Sequence, residues 1–243
     1  MAIKIFMTSK KGGTGVSSLC LGIGSALAHK GMKTLIVDGD ISGNSILLMS
    51  GCSGKTLYTL SDYKQGACRA KQMLVEVSSA KNLYVLPMFA CDDSQLLKRA
   101  IAEIEGLFDY ILCDNCVGVV CDKAITITEP YVPAIKCADV SVAELHDSGM
   151  KDVLVIVNKV NGGFIYEGDI LPPSEIAYLL HCELLAVIPE DLTMPLGKWK
   201  KDTQKAFKLA AENLTGSKKR IYSPTAGFVG LTGYFKRKLR YWI

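Results

Sequence analysis

Short, continuously apolar runs alternate along the chain with longer stretches in which apolar positions recur every three or four residues. The runs KIFMT (4–8), TLIVD (34–38), LYVLP (83–87), YILCD (110–114), ITIT (125–128), VLVIV (153–157) and LLAVI (184–188) are mostly too apolar to keep a solvated face. They predict strands covered on both sides. Helical periodicity falls between them, at about 15–30, 92–105, 137–150, 174–181 and 202–214. The alternation predicts an α/β fold, a three-layer and mostly parallel twisted sheet with helices on both faces. Residues 215–230, TGSKKRIYSPTAGFVG, are rich in Gly, Ser, Thr and basic residues. They predict a flexible linker between a body spanning 1–214 and a terminal segment spanning 231–243.

Composition refines this picture only slightly. A chain of 243 residues that is 49% hydrophobic, with 22 Gly and 8 Pro, suits one globular domain with a sizeable core. The opening MAIKIFMTS enters the first strand pattern without the features of a signal peptide, and no run approaches the roughly 18 apolar residues of a spanning helix. A cytoplasmic protein is expected. Nine scattered Cys residues read as buried, reduced thiols rather than a disulfide framework. Charge says more: residues 1–197 carry 16 Lys/Arg against 22 Asp/Glu, a balance of −6, and residues 198–243 carry 12 against 2, a balance of +10. A basic tail on an acidic body calls for an anionic partner, nucleic acid or lipid.

Ligands of such sheets bind beyond the carboxyl ends of the strands. The first loop there is SKKGGTGVSS (9–18). It looks like a variant of the phosphate-binding pattern GxxxxGK(S/T), in which backbone N–H groups cradle phosphate, the Lys reaches the β/γ-phosphates and the hydroxyl ligates Mg²⁺. Gly12, Gly13 and Gly15 permit the tight backbone, and Ser17 takes the hydroxyl position, but Val16 stands where the Lys belongs. The plain alternative is a Gly-rich turn that binds nothing. After the second strand come Asp38 and, on the turn, Asp40, suited to a Mg²⁺-bound or attacking water. After FDYIL, Asp114 takes the position of a Mg²⁺-supporting acid, and Gly118 can approach a γ-phosphate through its N–H.

KKGGTGVSS resembles the deviant Walker A loop of the MinD/ParA family of P-loop ATPases, KGGxGK(S/T), with Lys11 at the signature lysine. VDGDISGNSILLMSGC, NLYVLP, FDYILCDNCVG, VLVIVNK and AVIPEDL resemble further family segments in the same order, so the likeness covers nearly the whole chain. The resemblance implies a P-loop NTPase fold, bound ATP or ADP with Mg²⁺, and a homodimer that sandwiches two nucleotides. Lys11 would act in trans, and Asp40 would position the attacking water. Ser17, Asp40 and Asp114 would support the metal. Lys10, Lys11, Gly12, Gly13, Thr14, Gly15, Val16, Ser17, Ser18 and Gly118 would surround the phosphates, with Asn158, Pro189, Glu190 and Asp191 bordering adenine. Two departures point the same way: Val16 removes the in-cis lysine, and Asp114-Asn115-Cys116-Val117-Gly118 lacks the Pro of the family's DxPAG. The implied function is a membrane-associated spatial regulator of division, polarity or appendage placement, with an unknown protein partner and hydrolysis weakened or lost. The alternative is a working ATPase in which Lys11 and Lys10 compensate for Val16.

Cys113 and Cys116 form a CxxC across Asp114, with Cys121 beyond it. A related family, the nitrogenase iron protein, holds an iron-sulfur cluster with a Cys at similar spacing and a second Cys upstream, where this chain has Cys91. A single CxxC without a partner pair is weak, and small buried residues are the favoured reading.

In GLTGYFKRKLRYWI (230–243), Leu231, Tyr234, Phe235, Leu239, Trp242 and Ile243 recur at helical spacing, and Lys236, Arg237, Lys238 and Arg240 fill most of the remainder. Aromatics interleaved with cations predict an amphipathic helix lying in an anionic membrane surface, in preference to DNA. The MinD branch of the family carries a membrane-targeting helix at this end, so the resemblance agrees. Full-length protein is expected to sediment with anionic liposomes and a chain ending at residue 230 to stay in solution; equal sedimentation of the two would remove the anchor.

Overall fold

Every apolar run forms a strand. The computed structural model describes residues 1–39, 45–88, 93–116, 118–217 and 220–228. Among these, β1 (Ile3–Thr8), β2 (Thr34–Asp38), β3 (Val75–Glu76), β4 (Leu83–Pro87), β5 (Tyr110–Asp114), β6 (Lys123–Thr128), β7 (Val153–Val160) and β8 (Glu183–Pro189) make one sheet. The order is β3-β4-β2-β5-β1-β6-β7-β8. All neighbours are parallel except β3 on β4.

The helices are α1 (Val16–His29), α2 (Ser45–Met49), α3 (Leu60–Lys64), α4 (Ser94–Ile104), α5 (Val132–Asp147), α6 (Gly162–Glu167), α7 (Pro173–Leu179) and α8 (Lys201–Leu214). Their ends follow local chemistry. Asp93 caps α4 by accepting from the Leu96 N–H at 3.0 Å, and Thr59 and Asp62 form a capping box on α3. The periodicity predicts α5 at 137–150, whereas it spans Val132–Asp147. Pro133 in its first turn opens it early, and Gly149 at φ 89° closes the turn behind it. The two-residue β3 and the short α2, α3 and α6 fall below the length at which periodicity registers.

Alternation within each buried strand divides the core between two faces. Leu35 and Val37 of β2 and Ile111 and Cys113 of β5 pack with Leu97 and Ile101 of α4. The intervening Ile36 and Leu112 join Leu19 and Ile23 of α1. On the far side, Val155 and Val157 of β7 pack with Ile176 of α7, while Ile156 joins the α1 face. A strand with apolar residues on both faces stays put only between two helical layers, so the three-layer architecture follows from the pattern.

α1 lies beneath α8, and Trp199 stacks edge-on against Phe207 at 5.4 Å to seal that layer. The Phe207 ring occupies the space where a side chain at Gly22 would stand: a Cβ there would lie 2.2 Å from Cζ. Gly22→Ala is therefore expected to lower stability by about 1–3 kcal/mol through overpacking. Gly12→Ala, whose Cβ meets nothing within 4 Å, is the control and is expected to leave the melting temperature unchanged.

Candidate functional site

The glycine-rich loop leaves the C-terminal end of β1, the strand between β5 and β6, and turns into α1 through Gly15 at φ 93°. Gly15 is required there twice over. Its conformation is left-handed, and a Cβ would lie 2.8 Å from Asn158 Nδ2. Asn158, at the end of β7, is 1% exposed and donates through Nδ2 to the Thr14 carbonyl at 2.7 Å. Lys159 donates to the Gly13 carbonyl at 2.6 Å. In a trans peptide the C=O and the following N–H point opposite ways. With the Gly13 and Thr14 carbonyls turned toward β7, the Thr14 and Gly15 amides point away from it. The first turn of α1 adds amides that have no partner within the helix, and no side chain caps them. The resulting cavity, ≈ 390 Å³, is lined by Ser9, Lys11 through Ser18, Ser45, Leu48, Met49, Asn115 and Pro195.

Val16 lines this cavity and also belongs to the α1-side core, 8% exposed. Ser17 faces the cavity half-buried, and the Ser18 hydroxyl donates to Met49 Sδ at 3.4 Å. Neither expected phosphate lysine is loose. Lys10 pairs with Glu144 of α5, and Lys11 Nζ lies 2.5 Å from Glu129 Oε2.

Asp38 and Asp114 stand side by side in register at the ends of β2 and β5, and both are buried. Asp38 Oδ2 accepts from the Ile46 N–H of α2 at 3.3 Å, and Asp114 Oδ1 accepts from Asn115 Nδ2 at 3.3 Å. Gly118 does not join them at the loop. It lies against Ser94 of α4 and lines a separate cavity of ≈ 650 Å³ with Phe6, Cys116 and Cys121. Asn115, at φ 49°, takes the place beside the loop instead.

Asn161, Pro189 and Glu190 line a third cavity of ≈ 530 Å³ with Asp202, Lys205 and Tyr222. Asn161 Nδ2 donates to Glu190 Oε2 at 3.1 Å. Asp191 turns inward. Its Oδ1 accepts from the Thr193 N–H at 3.0 Å and hydroxyl at 2.6 Å, and its Oδ2 from the Lys200 N–H at 2.8 Å and the Thr203 hydroxyl at 2.7 Å. These bonds tie the turn after β8 to the start of α8. Burial pushes the Asp191 carboxyl up, but its hydrogen bonds, led by that from the Thr193 hydroxyl, outweigh burial and hold it at about 2.

The structure gathers Asn158, the loop and the two strand-end acids, and it adds residues that sequence reasoning passed over: Glu129, Lys159, Asn161 and Tyr222. The described part of the expected linker runs along the body. The Arg220 N–H donates to Asn213 Oδ1 at 3.1 Å, and Tyr222 packs against the α1-side core, where burial and then the Asp202 carboxylate push its phenol up to about 12. Cys20, Cys52, Cys68, Cys113 and Cys116 are buried free thiols. Hydrogen bonding to Cys116 pushes Cys113 up, hydrogen bonding to Cys113 pushes Cys121 up, and both are reinforced by burial. Among the described residues no group of three His, Cys, Asp or Glu gathers to hold a metal ion, and no helix is long and apolar enough to cross a membrane. Asp40, Cys91 and the terminal stretch 231–243 lie outside the described residues.

A glycine-rich strand-to-helix loop at the centre of a mostly parallel sheet, with acids at the neighbouring strand ends, defines the P-loop NTPase class. Residues 2–162 match a family model described as an AAA domain. The chain belongs to this family, among the P-loop ATPases of the MinD/ParA type. The septum site-determining protein MinD of Thermotoga maritima is 29% identical over 202 residues, 76% of this chain and 74% of that protein. A chain of the MinC:MinD cell division protein complex of Aquifex aeolicus superposes with a TM-score of 0.80 at 27% identity, covering 89% of this chain and 96% of that one. MinD from Pyrococcus horikoshii OT3, complexed with Mg-ADP, gives a TM-score of 0.74 at 25% identity, covering 88% and 96%.

Asp191 has a folded pKa of about 2, below its ordinary 3.8. A depressed carboxyl contributes stability that is complete above the ordinary value and lost as pH falls through the folded one. Asp191→Asn is thus expected to melt below wild type at neutral pH. The gap should shrink as pH is lowered from 3.8 towards about 2, followed by circular dichroism; a gap that is constant with pH would show that the carboxylate charge does not matter.

Proposed function

We propose that this chain is a MinD-like spatial regulator that binds ATP or ADP with Mg²⁺, dimerises, and attaches to an anionic membrane surface through its terminal stretch, with hydrolysis weakened or lost. The observation that carries the reading is the loop itself, whose backbone cradle is intact while Val16 stands in the lysine position and packs into the core. The residues suit a nucleotide in one further respect. The Asn158 Oδ1 atom is buried without a hydrogen-bond partner, an unspent acceptor beside the loop. Mg²⁺ commonly takes one or two protein carboxylates and completes its shell with phosphate oxygens and water. Ser17 and Asp114 would hold it, with Asp40 after β2. The Pyrococcus relative with Mg-ADP and the Aquifex complex with MinC support a nucleotide and a protein partner of that kind.

Magnitudes set what Val16 costs. A charge-assisted hydrogen bond to phosphate is worth about 1.5–3 kcal/mol, which a multi-amide cradle can partly replace. A cation acting on transition-state charge is worth on the order of 10³–10⁵ in rate, and an alkyl side chain supplies none of it. Binding therefore survives the substitution better than turnover. The competing reading, a working ATPase in which Lys11 and Lys10 compensate for Val16, has to recruit one ammonium paired with Glu129 and one held by an exposed pair with Glu144.

Turnover measured at several protein concentrations tests the proposal. Wild-type protein is expected to bind fluorescent ATP yet hydrolyse it slowly, and Val16→Lys to raise hydrolysis strongly, with specific activity climbing as dimers form. Wild-type turnover equal to that of Val16→Lys would overturn it.

A further inference from the structure

Two lysines share one buried carboxylate beside the loop. Glu129 follows β6, and its side chain is 7% exposed. Oε2 lies 2.5 Å from Lys11 Nζ, and Oε1 lies 2.5 Å from Lys159 Nζ. Burial pushes this carboxyl up, but hydrogen bonds from Lys11 and Lys159 hold it below the usual Glu range. The two cations are attached differently. Lys159 sits in a bulge, where β7 carries one residue more than β8 between Val157 and Val160, and its backbone is left-handed at φ 55°. Its ammonium also donates to the Gly13 carbonyl at 2.6 Å, so it is anchored at two points. For the Lys11 ammonium, 37% exposed on its side chain, Glu129 is the contact among the described residues.

From this two-for-one stoichiometry we infer that Glu129 parks Lys11 in an exchangeable position, and that Lys159 is the standing counter-ion that makes the exchange feasible. A buried carboxylate stripped of every cation is strongly unfavourable. With Lys159 fixed in place, Lys11 leaves behind a neutral pair instead of a bare charge. The second cation gives the cluster a net charge of +1 at the loop mouth, so an incoming polyphosphate meets an ammonium it can draw away. Glu129 and Lys159 are thus positioning residues that act through Lys11. This step rests on the nucleotide reading above.

The test uses the full chain and two readouts. Acetylation of Lys11 by a water-soluble N-hydroxysuccinimide ester, followed by mass spectrometry, reports how often its amine leaves Glu129. Relative to wild type, Glu129→Gln is expected to acetylate about three- to tenfold faster at Lys11, and Lys159→Met more slowly by a similar factor. Lys159→Arg should match wild type. ATP affinity is then read with a fluorescent analogue. Lys159→Met should weaken binding in the wild-type background and have little effect in Glu129→Gln, because no carboxylate remains to hold Lys11. A Lys159 that only braced the Gly13 carbonyl would weaken binding equally in both backgrounds, and that outcome overturns the inference, as does Lys11 acetylation unchanged by Glu129→Gln. The expected acetylation order with no ATP binding by any variant would support the latch and sink the nucleotide reading instead. Circular dichroism melts of each variant separate these effects from misfolding.

Discussion

The grip of β7 on the loop after β1 is the contact on which the candidate site depends. Asn158 and Lys159 each take a loop carbonyl, and trans peptide geometry then commits the following amides to the opposite side. A phosphate cradle needs amides that converge, and a free glycine-rich loop would spend much of its time in other conformations. Here the loop is braced from β7, two strands away in the sheet. The same contact explains why position 15 tolerates no side chain: the amide that holds the loop occupies the space where one would go.

With the loop braced from the side, the start of α1 is free to be hydrophobic. Val16 joins Leu19 and Ile23 in the layer beneath the sheet, and burying a side chain of that size contributes about 1.5–3 kcal/mol. A lysine at this position would have to leave that layer and enter the cavity. Position 16 thus serves packing in the layer beneath the sheet. The cations that remain nearby, Lys11 and Lys159, are tied to a single carboxylate carried by the loop after β6.

Much of this was legible in the sequence, for a physical reason. Strands buried on both faces must be continuously apolar, so the seven parallel strands announced themselves, and the resemblance of the loop, acid and Asn segments arrived in the right order. What stayed hidden depends on geometry between elements. The bulge at Lys159 has no signature in VNKV, since it exists only because β7 and β8 fall out of register there. Glu129 reads as a loop acid until two lysines arrive from 118 and 30 residues away. Gly118 is displaced from the loop because its turn packs on Ser94. Asp191 sat in the expected adenine turn, yet it spends both oxygens capping the region around α8.

The docking of residues 220–222 returns the segment after α8 to the body. Glu212 and Asn213 hold Arg220, and Tyr222 is seated beside Asp202 at the rim of the cavity that Glu190 borders. The segment after α8 continues along the body to the short turn Ala226–Phe228, which lies against α6. Tyr222, Ser223, Pro224, Ala226 and Gly227 thereby form one wall of that cavity, so its shape depends on a stretch that belongs to neither a strand nor a long helix, and anything that enters it touches the end of the described chain.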